Sequence, residues 1–233
     1  MYKLVLDRQV GMHNLHPKVA IVCAGNLETD NAIVNTLSTA LQSRLIHFEL
    51  KVDHEEWLDW ANANGINHMV SSYINFKPDS LHKFKPDSPD STFPCPRTWE
   101  FASKLLEHSS LDNELILQLL TGALGEGMAR EFYGFSRIYK DLPSIQEIIT
   151  NPEKTPTPAE LSTMYAIAGS IASHADEDNL EALLKYVTRL DDEFIIITIR
   201  QMVQRTPELK QHKAFLNLVK TKGVALIRLK DMY

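Results

Sequence analysis

Three side chains in this sequence could meet an anion, each at the end of an expected element. Asn26 closes "VAIVCAGN", Arg44 closes "LSTALQSR" ahead of a second apolar run, and Arg97 follows Pro96 at the head of "PRTWEFASKLL". A guanidinium is planar, always charged, and presents a fork of donors that matches phosphate oxygens. A cation in the first turn of a helix, as expected for Arg97, is disfavoured by ~0.3–1 kcal/mol, and a phosphate bound at that helix end reverses the sign. Each residue also has a plainer use: Asn26 capping a strand end, Arg44 pairing with a surface carboxylate, Arg97 binding backbone carbonyls.

Other chemistries find less support. "GALGEG" (122–127) has the glycine spacing of a phosphate loop, but Met128 and Ala129 stand where Lys and Ser or Thr are needed, and no strand precedes it. It reads as a helix junction. His13 and His16 are three apart with Pro17 directly after them, a turn rather than a ligand pair. No G-x-S-x-G stretch offers a nucleophilic serine, and neither Cys23 nor Cys95 has a candidate base beside it. Glu55, Glu56 and Asp59 fall in the first turns of a helix, where the macrodipole favours acids, and read as a solvated face.

The elements that must position these residues change character along the chain. "VAIVCA" (19–24) is continuously apolar and β-branched, as in a parallel strand covered on both faces, and "LIHFEL" (45–50) is a second strand with partial alternation. Two strands cannot form a sheet that buries both faces, so the sheet lacks members. "MYKLVLD" has helical spacing at Tyr2, Val5 and Leu6 without a capping residue, as if the chain began inside an element. After Leu50 helix follows helix. Asp53 with Glu56 forms a capping box for the helix holding Trp57 and Trp60, and Pro96 suits the first turn of the next. Between them FKPDS occurs at 76 and again at 84, as Pro-Asp-Ser turn chemistry. Two more helices fall within 111–140, a Pro-rich connection at 151–158, and a final helical set over 159–222. In that set Leu161, Met164, Tyr165, Ala168, Ile171 and Ala172 share one face, as do Leu180, Leu183, Leu184 and Val187. "FIIIT" (194–198) has strand propensity, but its continuation to Met202 and Val203 favours a buried helix.

The 233 residues, 44% of them hydrophobic, suffice for one sizeable core or two smaller ones. The formal charge of −6 has no basic stripe, which argues against nucleic-acid binding by charge. Two distant cysteines suggest a reducing compartment; with no apolar run near the ~20 residues of a membrane span and no signal-peptide core, a soluble cytoplasmic protein is expected.

"HPKVAIVCAGN", "LSTALQSRLIHFEL", "DHEEWLDWANANGI" and "PCPRTWEFASKLL", in that order, resemble the second half of a MoxR-type AAA+ ATPase, and the likeness continues through "YGFSRIYKDLPSIQEI" and "YVTRLDDEF". The resemblance implies an α/β remnant of an AAA+ core, with two parallel strands, over 1–52, then a helical lid over 53–143 and a helical extension over 144–233. It makes Asn26 the sensor 1 residue that orients water and γ-phosphate, Arg44 the arginine finger reaching a neighbouring subunit's nucleotide, and Arg97 the sensor 2 arginine. It implies ATP and Mg²⁺ in a completed assembly, with neither expected to bind tightly to this chain alone. It also implies a homo-oligomer or a P-loop-bearing partner, and a von Willebrand A-type partner protein.

The sequence departs from that family at its chemical centre. It has no G-x-x-x-x-G-K-[ST] and no apolar strand ending in Asp-Glu, so the phosphate cradle and the metal site must come from elsewhere or not at all. Two functions follow: part of a ring-forming ATPase that remodels a client protein, or a helical interaction module that has lost catalysis and regulates an intact relative.

Overall fold

The computed structural model describes residues 2–26, 37–85, 91–107, 112–138 and 142–230, with side chains from 3 to 221. The described residues are mostly helical and divide into two compact units, Met1–Lys51 with Lys85–Pro89, and Val52–Phe84 with Asp90–Tyr233.

In the first unit, α1 (Tyr2–Leu6) leads into a small antiparallel hairpin, β1 (Gln9–Val10) with β2 (His13–Asn14). Gly11 turns it with φ +60°, and Arg8 takes a left-handed φ of +54° just before it. The Arg8 guanidinium holds the next turn by donating to the carbonyls of His16 (3.2 Å) and Val19. His16 Nδ1 accepts from the Lys18 amide (3.2 Å), so it is a turn histidine. Further on, α2 (Thr39–Gln42) is capped by Ser38 and buries Leu41.

The expected parallel strands are not formed. Residues 19–24 and 45–50 carry no ladder, and β1–β2 is the only sheet among the described residues. A strand is stabilised by a neighbour, and neither segment has one here: Val22, Ile46, Phe48 and Leu50 all stand in solvent.

The second unit is built from helices with readable start signals. Asp53 caps α3 (His54–Ala63) by accepting from the Glu55 and Glu56 amides (both 2.9 Å). Asn67 caps α4 (His68–Phe76), and the first FKPDS copy then forms a 3₁₀ turn at Pro78–Ser80. The second copy leaves the described residues after Lys85. Pro96 opens α5 (Pro96–Leu106), and Gly125 joins α6 (Asn113–Leu124) to α7 (Glu126–Ile138). Its φ of +83° makes "GALGEG" a junction, since an L side chain is strained there. Then follow α8 (Ile145–Thr150), α9 (Leu161–His174), α10 (Leu180–Val187), α11 (Asp192–Arg205) and α12 (Lys213–Lys230). "FIIIT" lies inside α11. No described helix is long and apolar enough to cross a membrane.

Two hydrophobic clusters form. The first centres on Tyr73, whose ring packs on Trp99 (5.5 Å), Phe132 and Phe135 (both 5.3 Å). The second gathers Ile167, Ile171, the Leu180–Val187 stripe, Ile195 and Met202. What joins them is the crossing of α4 on α9. At Gly169 the helices are so close that a Cβ would stand 2.0 Å from Ser72 Oγ and 3.3 Å from the His68 carbonyl. The Ser72 hydroxyl is buried there and finds no hydrogen-bond partner among the described residues.

Gly169→Ala should therefore force the helices apart and cost about 1–3 kcal/mol, lowering the melting midpoint by about 2–4 °C per kcal/mol. Ser72→Ala alone should be near neutral or stabilising, because the hydroxyl it removes has no partner. The pair should show coupling in a double-mutant cycle read by thermal melting, with Ser72→Ala recovering part of the loss. Strict additivity would mean that the two residues do not meet.

Candidate functional site

The best-defined of the three anion-meeting residues is Arg97, because the helix that carries it is fixed from several sides. The Trp99 indole is fully buried and donates to the Ser80 carbonyl (2.9 Å), which ties α5 to the first Pro-Asp-Ser turn. Lys77, just before that turn, pairs with Glu131 on α7, and the lysine, by hydrogen bond, holds the Glu131 carboxyl below its ordinary range. Thr98 closes the helix start: its hydroxyl accepts from the Cys95 amide (2.8 Å) and lies 3.0 Å from the Cys95 carbonyl. Ser103 Oγ accepts from the Asn67 amide (2.8 Å), so α5 also helps to set the start of α4. On this mount Arg97 is exposed, and its side chain makes no hydrogen bond or ion pair among the described residues.

Asn26 and Arg44 lie in the other unit. Asn26 is exposed at the end of an irregular segment, not at a strand end. Arg44 follows α2, as expected, but the strand meant to brace it is not formed, and its guanidinium instead donates to the Ala40 carbonyl (2.6 Å). Such a contact satisfies a carbonyl left open at a helix C-terminus. Arg44 is thus exposed and locally tethered, while Arg97 is exposed with its donors uncommitted.

The sequence reading missed a polar seam between the helices of the second unit. Asp59 on α3, expected on a solvated face, accepts from Arg200 and from Gln204 Nε2 (2.8 Å) on α11, and Gln204 Oε1 accepts from Asn62 (2.8 Å). Arg205 donates to the Ile66 carbonyl (2.9 Å). The His68 ring meets His174, the last residue of α9, edge-on with centroids 5.9 Å apart. The Nδ1 of His174 lies 2.8 Å from the Ser170 carbonyl, which can only accept, so Nδ1 carries the proton. Burial, and then the charges of His174 and Arg205, push His68 down to about 4. Its partners are more than a hundred residues away in sequence, so no local signal announces it.

Arg97 suits an oxyanion, but the sequence has no phosphate loop or Asp-Glu strand end to stand beside it. Among the described residues no three His, Cys, Asp or Glu side chains gather as a metal site. An open apolar groove lies between α5 and α6, lined by Phe101, Lys104, Leu105, Gln118, Leu119 and Ala123. Compared with protein-family models, curated proteins and solved structures, the chain gives no match.

The polar seam has a pH consequence. His68 titrates near 4 when folded and near 6.5 when unfolded, so between these values the unfolded chain binds the extra proton. Stability is then complete above about pH 6.5 and falls as the pH drops towards 4, by about 3 kcal/mol in all. Denaturant midpoints between pH 7 and 4.5 should show this loss, and His68→Gln should flatten it. An unchanged slope in the variant would place the proton uptake elsewhere.

Proposed function

We propose that this chain is the sensor-and-lid part of a MoxR-like AAA+ ATPase, working with a P-loop carried by another segment or chain. The observation that carries the reading is Arg97: an exposed guanidinium in the first turn of a rigidly held helix, with no partner on its own chain among the described residues. A cation so placed works against the helix dipole unless an anion joins it. Arg97 then holds a phosphate from the lid as sensor 2, Asn26 orients the attacking water as sensor 1, and Arg44 reaches a neighbouring subunit's nucleotide as the finger. The tether of Arg44 to Ala40 is short-range and exposed, so the guanidinium is free to exchange it for phosphate oxygens. ATP and Mg²⁺ belong to the completed assembly, a cytoplasmic oligomer that remodels a client, with a von Willebrand A-type protein as partner.

One observation favours a second reading. The apolar groove between α5 and α6 is a binding surface that needs no nucleotide, as a helical module regulating an intact relative would use.

The isolated chain should show no magnesium-dependent ATP hydrolysis. In an assembly completed by fusing a P-loop-bearing MoxR-type half to residue 1, Arg44→Ala should leave nucleotide affinity nearly intact and cut turnover by about 10³-fold or more, since a finger meets charge that develops in the transition state. Arg97→Ala should weaken binding as well. Mixing Arg44→Ala subunits with P-loop-defective subunits should restore some turnover, because one mixed interface then has both a finger and a cradle. Equal loss of binding in both variants, with no rescue on mixing, would sink the role of Arg44; turnover by the isolated chain would sink the need for a second part.

A further inference from the structure

The last helix, α12, concentrates charge of one sign. Residues 209–230 hold Lys210, Lys213, Lys220, Lys222, Arg228 and Lys230 and no Asp or Glu, in a chain whose formal charge is −6, so the remainder stands at −6 − 6 = −12. A basic C-terminal segment on an acidic body is a charge asymmetry that points to an anionic partner.

The helix is tied to the body at its start. Ala214 and Phe215 pack against the second cluster and Leu218 is buried in it. Leu218 is also the last buried side chain among the described residues of α12, while the backbone stays helical to Lys230, more than three further turns. Beside the core-facing row runs a second row that the core does not use: Leu216 and Val219, three apart, are 47% and 44% exposed. In the sequence Leu226 follows Val219 at the helical spacing of seven. Lys213 and Lys220 stand one turn either side of Leu216, at i−3 and i+4, and both are exposed. Neither enters an ion pair among the described residues.

We propose that α12 binds an anionic phospholipid surface, with Leu216 and Val219 entering the boundary between headgroups and acyl chains and Lys213 and Lys220 meeting the lipid phosphates. Interfacial helices of this kind need exposed apolar side chains on one face with cations beside them, and α12 carries both. Lipid fits better than a nucleic acid, because a phosphate backbone draws the lysines but gives Leu216 and Val219 nothing apolar to enter. The acidic body is repelled by the same surface, so the helix alone makes the contact and the binding is reversible. Each lysine near an anionic leaflet strengthens it about fivefold. The inference does not depend on the ATPase reading.

The full chain should sediment at low salt with vesicles of phosphatidylcholine and phosphatidylserine, not with phosphatidylcholine alone, and should be released as salt is raised. Lys213→Gln with Lys220→Gln should weaken binding about 30-fold. Leu216→Ser with Val219→Ser should weaken it too, with an unchanged helical circular dichroism signal. Depth is read in a Cys23→Ser, Cys95→Ser background: an environment-sensitive fluorophore on Val219→Cys should shift to the blue with anionic vesicles, while one on Asn217→Cys, on the lysine side of the helix, should not. No binding, equal binding to both vesicle types, full binding by the double lysine variant, or a blue shift at both positions would each overturn the proposal. So would lysine-dependent binding to duplex DNA with none to vesicles, which would assign the basic segment to a nucleic acid.

Discussion

The helical body depends on a missing side chain. Because Gly169 has no Cβ, α9 lies close against α4, with the Ser72 hydroxyl in the space a Cβ would take. Packed cores respond to such contacts sharply, since a displaced helix loses neighbours along its whole length. Here the contact joins the aromatic cluster around Tyr73 to the aliphatic cluster around Ile171 and Leu183. The two-cluster body is therefore one unit of structure, although its halves are assembled from different stretches of chain.

What the site can do follows from that body. Arg97 is held outward because Trp99, two residues on, is locked inward by the Tyr73 cluster and by its bond to Ser80. The polar seam of Asp59, Asn62, Gln204 and Arg205 fixes α11 against α3 and the α3–α4 turn, at a distance from Arg97 in sequence but within the same unit. The cost of this arrangement is sensitivity to acid at His68, where burial first, and then His174 and Arg205, disfavour the charged ring. The first unit is held differently, by turn hydrogen bonds around Arg8 and a short α2, and it leaves apolar strand-forming sequence in solvent.

What could be read in the sequence was whatever is local. Asp53 and Pro96 announced helix starts because capping is decided within a few residues, and the Leu180, Leu183, Leu184, Val187 stripe is buried as its spacing required. The context around "FIIIT" outweighed its strand propensity for the same reason. Residues 19–24 and 45–50 misled because strand propensity describes fitness for a sheet and cannot supply one. The close approach of Gly169 to Ser72 and the meeting of His68 with His174 and Arg205 join residues far apart in sequence and have no local signal at all. The position of Arg97 was legible because it depends on a helix start. The bracing of Arg44 was not, since it required a strand partner.

The joined helical body is tested most directly by unfolding it with two probes. Trp57 and Trp99 are buried in the first cluster and Trp60 packs on Trp57, so tryptophan fluorescence reports on that half, while far-UV circular dichroism reports on every helix. If the α4–α9 crossing makes the body one cooperative unit, the two denaturation curves coincide at every denaturant concentration. A circular dichroism transition that separates from the fluorescence transition, with α9–α12 melting on their own, would contradict the account.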